Sequence, residues 1–227
     1  MAATVRFEGR VEIPLDIRSL DDFRRWATSD GFPETGRIDY LDGCIEVDMS
    51  PEDIFCHGVL KLELVGVLHP RIKRLGLGHL LTDRSRVSCP QGDLSVEPDV
   101  VFISHEALDA GRLRLVPKAG GEPGRYIEIE GPPDLVVEIV SDSSVRKDTQ
   151  RLPGAYFAAG VSELWLADAR GDAVTFRIHR RGPETFEAVA EDGEGFQVSA
   201  VLGAAFRLNA HRDRRGHWAF DLHVREG

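Results

Sequence analysis

The stretches EPDVVFI (residues 97–103) and PDLVVEIVS (residues 133–141) each set an acidic residue in a strand pattern rich in Val and Ile. A carboxylate in such a strand is costly to bury unless a cation or a hydrogen-bond donor compensates it. Asp99 and Glu138 are therefore candidate ligands for a hard divalent ion such as Mg²⁺, which prefers oxygen donors. An isolated acidic residue is more often exposed on an edge strand. Two in similar settings, followed by a charged segment, favour a site.

The length and net charge of the chain indicate how many domains it has and whether its surface suits nucleic acid. No linker-like stretch divides the 227 residues, which predicts one domain over residues 1–227. The formal net charge of −10 argues against a broadly basic surface, so nucleic-acid binding would need a local positive patch. Residues 71–74 and 212–215 are two basic runs that could form one. Each is more often a solvated face, so neither alone supports DNA binding.

The cysteines and the apolar runs bear on the compartment. Cys44, Cys56 and Cys89 are odd in number and share no CxxC spacing, which indicates a reducing compartment and argues against a zinc site. The first residues form no apolar signal region, and no apolar run approaches the roughly 18 to 20 residues that span a bilayer. We therefore expect a cytoplasmic protein that does not associate with membranes.

The first half of the chain predicts helix, hairpin and helix. Ser19 can cap a first helix with its side-chain oxygen. The two aspartates that follow lie in the first turn, where the helix dipole favours negative charge. Residues 37–48 predict a hairpin that turns at Asp42-Gly43. A long helix follows, with Ser50 as its expected cap and Pro51 in its first turn.

The second half predicts alternating strands and helices. We expect strands over 79–82, 84–88, 98–103, 134–140 and 162–168, and an antiparallel meander within 172–201. A second main helix is expected over about 146–159, but Pro153 favours a start near Leu152, because proline is tolerated only in a first turn. The pattern is that of an α/β protein with a mixed sheet.

Several motifs follow one another in a specific order: the Asp-Gly turn, Met49-Ser50-Pro51 with His57, Glu97-Pro98-Asp99, VEIVS at 137–141, Tyr156 and GVSELWLAD at 160–168. This order, from about Ile38 to Phe206, resembles the Uma-type putative restriction endonuclease family of the PD-(D/E)XK nuclease superfamily. The resemblance implies a restriction-endonuclease-like fold, with a central mixed β-sheet flanked by helices and antiparallel C-terminal strands. It also implies a metal-dependent endonuclease that hydrolyses DNA phosphodiester bonds with Mg²⁺ or Mn²⁺.

The resemblance assigns roles to individual acidic residues. Asp99 matches the aspartate of the family's PD motif, and Glu138 matches its second acidic residue. Asp39 matches an early acidic position that could complete the metal shell, or it could be a surface residue of the hairpin. His57 could be an accessory residue near the site, although a lone histidine near a helix start is more often structural.

The catalytic lysine of the superfamily has moved or is missing in this chain. Val140 occupies the position two residues after Glu138, where the general pattern has lysine. Members of the family commonly carry the lysine four residues before the tyrosine that matches Tyr156, and Leu152 stands there. Lys147 is the nearest alternative cation, with Arg151 as an accessory candidate behind it.

Three alternatives to an active nuclease stay open at the level of sequence. Leu152 and the negative net charge favour a catalytically degenerate nuclease fold that binds nucleic acid or protein without cutting. An unrelated small-molecule enzyme would need a Gly-rich phosphate loop, a nucleophile elbow or an HExxH motif, and the chain shows none of these. A structural or regulatory module that acts as a homodimer is the third alternative.

Overall fold

The computed structural model describes residues 4–7 and 11–227 of the chain. Within these ranges the strands are β1 Thr4–Phe7, β2 Val11–Pro14, β3 Arg37–Leu41, β4 Cys44–Asp48, β5 Gly78–Thr82, β6 Arg86–Cys89, β7 Leu94–Val96, β8 Val100–Ser104, β9 Arg114–Pro117, β10 Tyr126–Glu130, β11 Leu135–Ile139, β12 Glu163–Asp168, β13 Thr175–Arg181, β14 Phe186–Ala188, β15 Gln197–Ser199, β16 Ala204–Arg212 and β17 Trp218–Glu226. The α-helices are α1 Leu20–Ala27, α2 Leu60–Leu75, α3 His105–Asp109 and α4 Leu152–Ala159. Two π-helical segments, Ile54–Val59 and Lys147–Arg151, directly precede α2 and α4.

The strands form two six-stranded mixed sheets. The first sheet has the order β4-β3-β7-β6-β10-β9, and the second has the order β14-β13-β12-β11-β8-β5. In the second sheet β11 runs parallel to β12 and antiparallel to β8. The predicted α/β class, with mixed sheets, flanking helices and antiparallel C-terminal strands, is confirmed.

The second sheet is buried on both faces, which explains its nearly continuous Val and Ile runs. One face, with Val100 and Val137, packs against α2 and the C-terminal strands. The opposite face, with Val101 and Val136, packs against α4 and the first sheet. Because side chains alternate along a strand, Asp99 and Glu138 belong to the second of these faces.

The structure confirms one of the two predicted helix caps and corrects the other. Ser19 caps α1, because its hydroxyl accepts a hydrogen bond of 3.2 Å from the Asp22 N–H. The prediction that Ser50 caps the long helix is wrong. The Asp53 carboxylate does so, accepting the N–H groups of Phe55 and Cys56 at 2.8 and 2.6 Å, and the helical segment therefore starts at Ile54.

The predicted start of α4 is confirmed, whereas the C-terminal strands differ in part from the prediction. α4 begins at Leu152, with Pro153 in its first turn, as predicted. Of the predicted meander, β13 and β14 extend the second sheet, whereas β15 pairs with β16 in a separate three-stranded sheet. The nine-residue strands β16 and β17 form a long hairpin that the sequence interpretation missed. Within the described residues, no helix combines the length and the apolar character needed to cross a membrane.

Two glycines give opposite predictions for stability. A Cβ atom on Gly78 would lie 2.1 Å from the Ile103 carbonyl oxygen, so we expect Gly78→Ala to lower the free energy of unfolding by about 2 kcal/mol or more. A Cβ on Gly66, inside α2, would meet nothing within 4 Å, so Gly66→Ala should raise it by about 0.5–1 kcal/mol. Urea unfolding of both variants measures the two effects. A Gly78→Ala protein as stable as wild type would contradict the packing of β5 on β8.

Candidate active site

Asp99 lies just before β8 and is tied to β11. It is 2% exposed, and its Oδ2 accepts a 2.7 Å hydrogen bond from the Ile139 N–H. Its Oδ1 lies 3.2 Å from His57 Nε2 and 3.2 Å from Lys61 Nζ. Burial raises the pKa of Asp99, but the His57 hydrogen bond and the charges of His57 and Lys61 outweigh it and lower that pKa to about 2. Asp99 is therefore an ionised carboxylate.

Glu138, in β11, has the opposite electrostatic character. It is 1% exposed, and its Oε1 accepts a 2.5 Å hydrogen bond from the Tyr156 hydroxyl. Its Oε2 lies 3.8 Å from Arg37 Nη2. Burial raises the pKa of Glu138 to about 8, which the charges of Asp99 and Asp148 support and the Arg37 charge opposes. The two carboxyl groups thus divide their roles near neutral pH: Asp99 is charged, while Glu138 holds a proton.

The pairing of β8 with β11 brings these two carboxyl groups together. Val100 is paired with Val137, so one further step along the antiparallel ladder sets Asp99 opposite Glu138. Residues in opposite positions of such a pair project from the same face. The backbone register therefore directs both side chains to the same side of the second sheet.

Asp39 and Lys147 form an ion pair at the edge of this group. Asp39, in β3, accepts hydrogen bonds from the Glu97 N–H at 3.0 Å, from Arg37 Nε at 3.2 Å and from Lys147 Nζ. Burial raises the pKa of Asp39, but the charges of Arg37, Lys147 and Arg86 lower it overall. Its oxygens are thus already engaged by protein donors.

Arg151 is directed elsewhere. Its guanidinium group binds the Glu46 carboxylate and lies 3.3 Å from the Leu41 carbonyl oxygen, which attaches it to the β3–β4 hairpin. Lys147 and Arg151 line a groove next to the cleft at Asp99. The structure therefore brings Asp39, Asp99 and Glu138 together around Arg37, with Lys147 at their edge and Arg151 outside.

Lys61 and Arg37 are residues of the site that the sequence interpretation missed. Lys61 Nζ lies 2.6 Å from Asp83 Oδ1 and 3.6 Å from Glu52 Oε2, in addition to its contact with Asp99. Burial lowers the pKa of Lys61, but Asp99, Asp83 and Glu52 raise it overall. The spacing of four residues between His57 and Lys61, which places both on one helical face, could have identified it. No comparable signal marks Arg37.

A cleft of about 380 Å³ reaches Asp99 and Arg37 of this group. Its walls include Arg37, Glu52, His57, Glu97 and Asp99. The cleft combines a charged carboxylate with several nearby cations, so it can bind a cation and a phosphate side by side.

Two buried carboxyl oxygens of this region lack a hydrogen-bond donor. Glu138 Oε2 and Asp148 Oδ1 accept no hydrogen bond from any residue that the structure describes. Burial raises the pKa of Asp148 to about 6. Unsatisfied carboxylate oxygens are costly to bury, and they are also the donors that Mg²⁺ and Mn²⁺ prefer. The donor set therefore suits the metal that the sequence predicts.

A second group of donors adjoins the first through Asp99. Glu52, His57 and Asp99 each offer a ligand atom, and these atoms lie within 4.8 Å of one another. His57 Nδ1 lies 2.9 Å from Glu52 Oε2 but is not aligned to donate a hydrogen bond to it. His57, an accessory candidate from the sequence, is therefore in direct contact with the proposed ligand Asp99.

Comparison with known proteins identifies the family and the fold. Residues 20–211 match the model of the family Uma2, described as putative restriction endonuclease. The crystal structure of a putative nuclease belonging to DUF820 from Anabaena variabilis ATCC 29413 is similar, with a TM-score of 0.59 and 19% sequence identity over 81% of this chain and 90% of that chain. At that identity the likeness shows a shared fold. No curated protein matches the chain.

Because Glu138 is buried with its proton, we expect the stability difference between wild type and Glu138→Gln to depend on pH. Between pH 4.5 and about 8 the unfolded chain releases this proton while the folded chain keeps it, so the folded state loses stability across that window. In metal-free buffer we expect the free energy of unfolding of Glu138→Gln, relative to wild type, to rise by on the order of 4 kcal/mol from about pH 5 to about pH 9. Urea unfolding at both pH values measures the gain. An equal difference at the two pH values would show that Glu138 is not protonated in the folded state.

Proposed function

Because the chain belongs to the Uma2 family, we propose that it is a metal-dependent endonuclease that hydrolyses phosphodiester bonds of DNA. The observation that carries the proposal is the opposition of Asp99 and Glu138 on adjacent strands, beside an open cleft. Burial of a carboxyl pair with an unsatisfied oxygen destabilises the fold when no ion is bound. The same oxygens favour the binding of a cation. We infer Mg²⁺ or Mn²⁺ as the cofactor.

Each residue of the site has a role in this proposal. Asp99 and Glu138 would hold the metal, and Asp39 would serve as an outer acidic group that positions Lys147. A bound divalent ion supplies Lewis-acid polarisation of the phosphate and of the attacking water. His57 orients the Asp99 carboxylate through its 3.2 Å contact.

Two lysines are proposed to offset the charge that develops on the phosphate. Lys147 is the cation expected from the sequence, and it reaches the acidic group through Asp39. Lys61 has the more direct position, because its Nζ touches the Asp99 carboxylate itself. A cation fixed next to developing negative charge stabilises the transition state.

A catalytically degenerate fold that binds nucleic acid or protein is the second candidate function. The observation in its favour is that Leu152 is fully buried in the apolar core, so the position of the family's lysine supplies no charge. A cytoplasmic location and a homodimer stay predictions in either case.

Alanine variants of the two acidic residues test the nuclease directly. We expect Asp99→Ala and Glu138→Ala each to lower Mg²⁺- or Mn²⁺-dependent plasmid cleavage by more than about 100-fold, because the metal loses a ligand. We expect the fold to persist in both variants, and circular dichroism and thermal unfolding check that it does. Undiminished cutting by both variants, with contaminating nuclease excluded, would reject these catalytic roles. A wild type that cuts no substrate would favour the degenerate fold.

Variants of the three basic residues distinguish the candidate cations. We expect Lys61→Ala and Lys147→Ala each to slow single-turnover cleavage by about 100-fold or more. Arg151→Ala should have a far smaller effect, because this side chain binds the hairpin. Salt must be held fixed, since phosphate contacts change affinity steeply with ionic strength.

Metal affinity provides the control for this comparison. Titration of each variant with Mn²⁺ by calorimetry separates a loss of metal from a loss of chemistry. A loss with Lys147→Ala that merely equals the loss with Arg151→Ala would remove Lys147 from the mechanism, and the same outcome for Lys61→Ala would remove Lys61.

A further inference from the structure

The tip of the β16–β17 hairpin presents an unpaired cluster of positive charge. Residues 212–217, here called the basic tip, contain three arginines and one aspartate, and all six are exposed. The Asp213 carboxylate accepts N–H groups of Arg215 and His217 at 2.8 and 2.9 Å, so it shapes the turn. Within the described residues, the side chains of Arg214 and Arg215 form no ion pair. Their charges are therefore available to a ligand.

The hairpin runs along α2, and its basic tip contacts the segment that precedes this helix. The Leu222 N–H donates a 2.8 Å hydrogen bond to Glu63 Oε1, near the start of α2. The His217 ring stacks on the Phe55 ring, with centroids 4.0 Å apart and planes 4° from parallel. Phe55 is two residues from His57, which lines the cleft. The tip thus stands against the segment that forms one wall of the cleft.

In the other basic run of the chain both arginines are already paired. Arg71 is buried and binds the Leu202 carbonyl oxygen at 2.8 Å and Glu226 at 2.6 Å. Arg74 binds the same Glu226 carboxylate at 3.1 Å. This run lies near the C-terminal end of α2, so Lys73 is about 18 Å along the helix from Lys61. Of the two candidate patches in the sequence, only the tip combines free charge with closeness to the cleft.

We propose that the basic tip binds the phosphate backbone of DNA and holds the strand beside the cleft, an inference that rests on the proposed nuclease function. A chain with a net charge of −10 repels a polyanion over most of its surface. The carboxylates at the bottom of the cleft add to that repulsion until a metal ion binds. A local group of arginines beside the cleft overcomes it, because duplex DNA carries one charge per about 1.7 Å of its axis.

Removal of the two free arginines tests the proposal. Binding of a labelled duplex oligonucleotide is followed by fluorescence anisotropy at several salt concentrations, with Ca²⁺ in place of Mg²⁺ because both ions take oxygen ligands. We expect Arg214→Ala/Arg215→Ala to weaken binding by about tenfold or more and to reduce the salt slope by about 2, one unit for each lost phosphate contact.

The matched control is Lys73→Ala/Arg74→Ala, which removes two charges from the other basic run and should leave affinity and slope at their wild-type values. Charge reversal by Arg214→Glu/Arg215→Glu should weaken binding further, and circular dichroism verifies that each variant is folded. An unchanged affinity and slope for the alanine pair would overturn the role of the tip, as would equal losses in the control.

Separate measurements of binding and cleavage distinguish this proposal from the proposed function. If wild type binds DNA through the tip but cuts none with Mg²⁺ or Mn²⁺, the nuclease assignment fails and the tip assignment stands. If wild type cuts DNA and the tip variants bind it as well as wild type does, the tip assignment alone fails.

Discussion

The burial of several carboxyl groups in one place is the constraint on which the rest of the site depends. An ionised carboxylate without compensation costs several kcal/mol to remove from water. Arg37 lies among three of them, at 3.2 Å from Asp39 and 3.8 Å from Glu138. Burial lowers the pKa of Arg37, but the charges of Asp39, Glu138 and Asp99 raise it well above its usual range. The guanidinium group therefore stays charged, and the acidic cluster can exist inside the fold.

The short segment 97–99 joins the two sheets at this point. Its Glu97 N–H is held by Asp39 of the first sheet, whereas the Asp99 carboxylate holds the Ile139 N–H of the second sheet. The same hydrogen bonds that fix the connection between the sheets thus position the carboxylates. The site forms only where both sheets are packed, which couples its geometry to the stability of the core.

Local pattern was enough to predict one part of this arrangement. Strand periodicity placed Asp99 and Glu138, and the position of Pro153 placed the start of α4, because both are properties of consecutive residues. The partners of those residues depend on contacts between distant segments. Arg37 reaches Glu138 only because the first sheet packs against the second, and nothing in its own neighbourhood signals that contact. The choice of Asp53 over Ser50 as helix cap was equally open, since both residue types can cap.

The cations of the site come from positions other than the one where the family commonly carries its lysine. A buried leucine at residue 152 leaves the usual position neutral, and the cations come from three other elements: Arg37 on β3, Lys61 on α2 and Lys147 before α4. Each lies against an acidic side chain of the cluster. These ion pairs stabilise the metal-free fold. A divalent ion would have to compete with the protein cations for the same oxygens, and this competition lowers the affinity for the metal. In the proposed mechanism, a protein cation that the metal displaces from its carboxylate would become available to the phosphate.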